Sequence, residues 1–187
     1  MPLNILPDSS TESRGGSDIS REHAKLANIM NNPNPTSENA DAILAESAPK
    51  SPRIPAVTDR SKQLAAAAAR TAIANNGTDV LVLDVCDQTA LFDYFVIATG
   101  TSRRQLHAIS EEIDDALQKG LGDLRMGIEG YEDSRWIVLD YGSIVIHLFD
   151  EEARAYYDLE SLWADAKVVP LTELGLTPAE ISPRTKS

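Results

Sequence analysis

The residues from Trp136 to Phe149, WIVLDYGSIVIHLF, constrain the fold more than any other part of this chain. Two short apolar runs, 136–140 and 143–149, flank Tyr141-Gly142, and glycine accepts the positive φ that a tight reversal demands. This predicts a β-hairpin in which Asp140 faces Ser143, Leu139 faces Ile144, Val138 faces Val145, Ile137 faces Ile146 and Trp136 faces His147. Side chains alternate across a strand, so the two faces can be separated. One collects Ile137, Leu139, Ile144, Ile146 and Leu148 and is expected to be core. The other collects Trp136, Val138, Asp140, Ser143, Val145, His147 and Phe149. It is too apolar for solvent and too polar for ordinary core, and is expected to need a partner.

Around the hairpin the chain reads as alternating helices and strands. The alanine-rich stretch from Thr58 or Asp59 to Asn75-Asn76-Gly77 has high helix propensity and a left-handed stop. DVLVLDV (Asp79–Val85) and DYFVIATG (Asp93–Gly100) are continuous apolar runs suited to strands inside a sheet. Ser102 followed by Gln105 predicts a capping box. Leu106, Ile109, Ile113 and Leu117 then share one helical face, and Gly120 is the expected stop. Leu124–Met126 is read as a short strand and GIEGYEDS as a loop. A single helix from Glu151 to about Ala166, capped by Asp150, follows the hairpin. The expectation is an α/β (α+β) domain: a mixed sheet of about five strands with helices packed on it.

Composition sets the boundaries. Residues 1–58 are rich in Ser, Asn, Pro and Asp without an apolar period, which predicts a disordered extension. Residues 59–169 are the expected domain, and 170–187 a C-terminal tail with little order. The extension holds 7 of the 29 acids and 5 of the 17 bases, which leaves 22 acids and 12 bases for residues 59–187. An excess of that sign disfavours general nucleic-acid binding, which rests on neutralising phosphates, and favours a basic protein partner. A single cysteine, Cys86, excludes an intrachain disulfide. No apolar run is long enough to span a bilayer, and residues 1–30 lack a secretory h-region, so a cytoplasmic location is expected.

Enzymatic readings find little support. VIATGTSRRQ has the strand–turn–helix form that can hold an anion, but neither phosphate-binding glycine motif is present. Asp84, Asp87 and Asp93 near two strand ends are the residues a nucleotide-dependent transferase would use with the Gly100–Ser102 turn and Mg²⁺. No basic phosphate clamp accompanies them. No cofactor or metal is expected. By contrast, six of the ten aromatics lie within 136–163: Trp136, Tyr141, Phe149, Tyr156, Tyr157 and Trp163. Trp and Tyr carry much of the energy of protein interfaces. Trp163 and one of the two tyrosines 156 and 157 are assigned to core, and Trp136 to an interface.

The ordered set Asp93-Tyr94-Phe95-Val96-Ile97, Thr99-Gly100-Thr101-Ser102-Arg103-Arg104-Gln105, Glu129-Gly130, Trp136 to Gly142, His147 and Arg154-x-x-Tyr157-x-Leu159-Glu160-x-Leu162-Trp163 resembles the ribosomal silencing factor family, also called Iojap-like. The resemblance covers about residues 60–167. It implies a fold similar to nucleotidyltransferases without their catalytic residues. It also implies a function: binding to the large ribosomal subunit through ribosomal protein L-fourteen, which sterically blocks association with the small subunit and represses translation when nutrients are scarce. Together with the hairpin pattern it places partner contacts at Trp136, Val138, Asp140, Tyr141, Val145, His147 and Arg154. The transferase is the alternative, and a homodimer formed through an exposed apolar sheet face is a third reading.

Overall fold

The structure is a computed structural model that describes residues 55–133 and 135–182. The expected disordered extension lies outside these residues, apart from its last four. Helix α1 spans Pro55–Ala74 and so begins before the expected Thr58. It leads into strands β1 (Thr78–Asp84) and β2 (Tyr94–Thr99). Helix α2 (Arg103–Asp115) continues through a π-helical turn at Ala116–Gly120. Strands β3 (Gly127–Glu129), β4 (Trp136–Asp140) and β5 (Ile144–Phe149) follow, then short helices α3 (Glu151–Tyr157) and α4 (Leu159–Leu162). The last elements are β6 (Lys167–Val168), a 3-10 turn at Leu171–Leu174 and α5 (Pro178–Ile181).

The six strands form one mixed sheet in the order β3-β4-β5-β2-β1-β6. Only β2 and β5 run parallel; the other neighbours are antiparallel. One sheet face is aliphatic. Ile137, Leu139, Ile144, Ile146 and Leu148 pack there with Val82, Val96 and Ala98 under α1 and α2. Helix α1 meets the sheet through Leu64 and through Ala65, Ala68, Ala69 and Ala72, small residues that bring its backbone close. Helix α2 contributes Leu106, Ile109, Ile113 and Leu117, as its spacing predicts.

Several expectations are corrected. The hairpin pairs Trp136 with Phe149, Val138 with His147 and Asp140 with Val145, two residues away from the predicted register. Its tip is Gly142-Ser143, with Gly142 at φ +77°, so glycine occupies the first tip position. A two-residue shift leaves every side chain on its predicted face, because the period of a strand is two. The edge strand is Gly127–Glu129 rather than Leu124–Met126, with Ile128 opposite Leu139. The helix after the hairpin is broken at Asp158, which takes a left-handed φ of 42°. Of the expected tail, residues 170–182 are ordered against the domain. Val169, Leu174 and Leu176 enter the aliphatic core, and Arg70 of α1 pairs with Glu180 at 3.0 Å. Thr177 and Glu180 form the full capping box. At α2 only half of one exists: Ser102 Oγ accepts from Gln105 N, while Gln105 Oε1 accepts from Thr101 N. Helix α2 also passes the expected stop at Gly120, and the positive φ falls at Gly122.

Candidate protein-docking site

The mixed hairpin face is the predicted site, and it is closed. Trp136, Val138, Asp140, Val145, His147 and Phe149 are all buried, with Trp136 4% and His147 0% exposed. The expectation that this face lies open to a partner is therefore corrected: the chain supplies the cover. Tyr157 of α3 rests on Trp136 with ring centroids 4.8 Å apart, and Trp163 meets Phe95 of β2 edge-on at 4.9 Å. Ala153 and Leu159 fill the space between the helices and the sheet. A sequence signal for this existed. Ala153 and Tyr157, then Leu159 and Trp163, are two apolar pairs spaced four apart, one on each side of the break at Asp158. The same cover removes the open apolar face on which the homodimer reading rested.

Within the layer the side chains are tightly ordered. Trp136 stacks on Phe149 at 4.8 Å, and its indole Nε1–H donates to His147 Nδ1 at 3.3 Å. Phe95 presents its edge to the imidazole at 5.1 Å. His147 Nε2 is buried without a hydrogen-bond partner, and burial pushes the imidazole pKa down to about 3. It is a neutral core histidine, as charge would have to be stripped of water to sit there. Asp140 Oδ1 accepts from Gly142 N at 2.7 Å and so shapes the hairpin tip.

Two predicted residues stand apart from this layer. Tyr141 lies on the aliphatic side of the sheet, where its hydroxyl donates to Asp114, itself paired with Arg125. Burial raises the Tyr141 pKa to about 12 and keeps the phenol protonated. Arg154 sits at the rim as a brace. Its guanidinium bonds Thr99 Oγ1 at 2.6 Å, the Asp79 carbonyl at 2.8 Å and Glu160 at 2.7 Å. Asp79 lies in the register shift of β1 at φ 48°, so Arg154 satisfies a carbonyl that the irregular strand leaves over.

The outer surface above the layer carries groups that sequence reasoning did not select. Tyr156 is 57% exposed and meets Tyr157 edge-on at 5.0 Å. Arg135 reaches across to Asp150 at 2.9 Å and Glu152 at 2.6 Å, fixing the start of α3 against β4. Asp150 caps α3 as expected, accepting from Ala153 N at 2.6 Å.

The residues of the transferase alternative serve the fold. Asp93 is buried and accepts from Ser61 Oγ at 2.6 Å, and Asp84 accepts from Cys86 N at 3.0 Å. Gly100 is required by packing: an added Cβ would lie 2.7 Å from Leu106 Cδ2. Among the described residues no group of three His, Cys, Asp or Glu is placed to hold a metal ion. No helix among them is long and apolar enough to cross a membrane.

Comparison with known proteins adds a family. Residues 58–187 match the family model described as ribosomal silencing factor during starvation. A ribosomal silencing factor from Bacillus subtilis is 41% identical over 97 residues, covering 51% of this chain and 78% of that protein. A mouse protein named for mitochondrial assembly of the ribosomal large subunit is 40% identical over 90 residues, covering 47% of this chain and 40% of that protein. The crystal structure of a protein from Chromobacterium violaceum matches with a TM-score of 0.53 and 33% identity, covering 55% of this chain and 84% of that one.

Proposed function

Because this chain belongs to the ribosomal silencing factor family, we propose that it binds the large ribosomal subunit through ribosomal protein L-fourteen and keeps the small subunit from joining. It would thereby repress translation in the cytoplasm when nutrients are scarce, by occupying space and without catalysis. The observation that carries this reading is the family match over residues 58–187. The assignment of Asp84, Asp93 and Gly100 to structural roles supports a binding protein over a transferase. The acidic balance of residues 59–187 suits a basic ribosomal protein.

In this reading the docking surface is the outer side of the α3 region, with Tyr156 as its exposed aromatic and Arg135 and Glu152 at its rim. Trp136, Val138, Asp140, Val145 and His147 support that surface from below, and Arg154 holds its end against β1 and β2. Tyr141 stabilises the hairpin from the opposite face. Sedimentation of the full chain with purified large subunits tests the proposal. Saturable co-sedimentation is expected, with a loss of ~30-fold or more in affinity for Tyr156→Ala if this tyrosine is a central anchor. Absence of binding would sink the ribosomal reading, and unchanged binding of the variant would move the surface away from α3.

A further inference from the structure

His147 is enclosed by groups that suit only its neutral form. The indole N–H of Trp136 occupies Nδ1 as a donor, so the imidazole hydrogen resides on Nε2, where no acceptor meets it. A proton arriving at Nδ1 would set two donors against each other and leave a charge among Phe95, Trp136 and Phe149. Those rings are also the seats of the covering helices: Tyr157 rests on Trp136, and Trp163 on Phe95.

Among the described residues no carboxylate stands ready to compensate. On β4 the same-face acid is Asp140, which bonds Gly142 N and pairs in register with Val145 rather than His147. At the start of β2, Asp93 accepts from Ser61. On α3 the titratable groups are the Tyr157 hydroxyl, raised by burial, the exposed Tyr156, Arg154, which pairs with Glu160, and the acids Glu151 and Glu152 of the exposed first turn; Glu152 pairs with Arg135. On α4, Glu160 pairs with Arg154. With none of these groups at the ring, an imidazolium gains its partners from water.

The cover is the part able to admit it. Helices α3 and α4 have seven and four residues, too short to persist without their packed face, and they meet at the left-handed Asp158. We propose that His147 and its surrounding rings form an acid-released latch: protonation of the imidazole lifts the α3–α4 strap from the aromatic face while the aliphatic side of the domain stays folded. This inference does not depend on the proposed ribosomal role. The sign follows from linkage. The closed form resists a proton that the open form binds with an ordinary pKa of 6.5, so closure is fully favoured above pH 6.5 and weakens as the pH falls below it.

Hydrogen exchange read by mass spectrometry on the full chain, at about pH 7 and about pH 5 and corrected for intrinsic rates, tests the latch. Protection of residues 151–163 should fall by up to ~tenfold per pH unit below the ordinary histidine pKa, while α1 and α2 keep theirs. In His147→Phe the strap should keep its protection across the same range. Should that variant fail to give a cooperative thermal transition, His147→Gln, which is neutral at every pH and still offers an acceptor to Trp136, is expected to show the same flat profile. A pH-dependent loss that persists in the folded variant, or a loss shared equally by α1 and α2, would overturn the latch. So would an imidazole titrating near its ordinary value by NMR with the strap still protected.

Discussion

On one face of the sheet, Ile137, Leu139, Ile144 and Ile146 pack under two helices of 20 and 13 residues. On the other, Trp136, His147, Phe149 and Phe95 lie under helices of seven and four. The first face is an aliphatic core of interchangeable contacts. The second is a ring assembly with specific hydrogen-bond demands, held down by a strap with little intrinsic stability. The difference teaches that burial alone does not make two layers equivalent: one should fail only with the whole domain, the other by itself.

The largest expected effect separates the layers directly. Trp136→Ala removes the ring that contacts Phe149, His147 and Tyr157, and should cost ~3–5 kcal/mol. Urea unfolding followed by far-UV circular dichroism and by Trp163 fluorescence should then give separate transitions, with the fluorescence change first. Coincident transitions would erase the distinction between the faces. Gly100→Ala probes the aliphatic side, where the new methyl would press on the fully buried Leu106. A loss of ~1–3 kcal/mol in a single cooperative transition is expected, because overpacking there strains α2 and the sheet together. Asp150→Ala is the smallest, at ~1 kcal/mol for a lost helix cap. Its effect should appear as faster exchange confined to α3, and an effect spread over α1 would contradict a separately held strap.

The faces themselves were legible in the sequence, and the reason is physical. Strand alternation assigns each side chain to a side whatever the exact register, so the two-residue error in the hairpin moved partners without moving faces. The stripe of Leu106, Ile109, Ile113 and Leu117 likewise determined which side of α2 is buried. The break in the covering helix was not legible, because Ala153, Arg154, Leu159 and Glu160 favour helix on both sides of Asp158. The break comes from Asp158 adopting a backbone conformation that propensity disfavours and tertiary packing selects. The C-terminal segment escaped for a related reason. Leu174 and Leu176 are isolated apolar residues among turn formers, and only the completed groove beside α1 gives them a place to bury.

Trp136 shows the consequence for function. An aromatic on a mixed face reads equally as interface or as core, and exposure decides between them; here the exposed aromatic of the same stack is Tyr156. The motifs that resemble the silencing factor family therefore identify the domain more securely than they identify its contacts.

The most direct test of the central claim is the yield of joined ribosomes when purified large and small subunits are mixed with increasing amounts of the full chain. Prebinding to the large subunit should lower that yield toward zero at saturation, whereas the same amount added to already joined ribosomes should act slowly. Undiminished joining at saturating, bound protein would contradict the account.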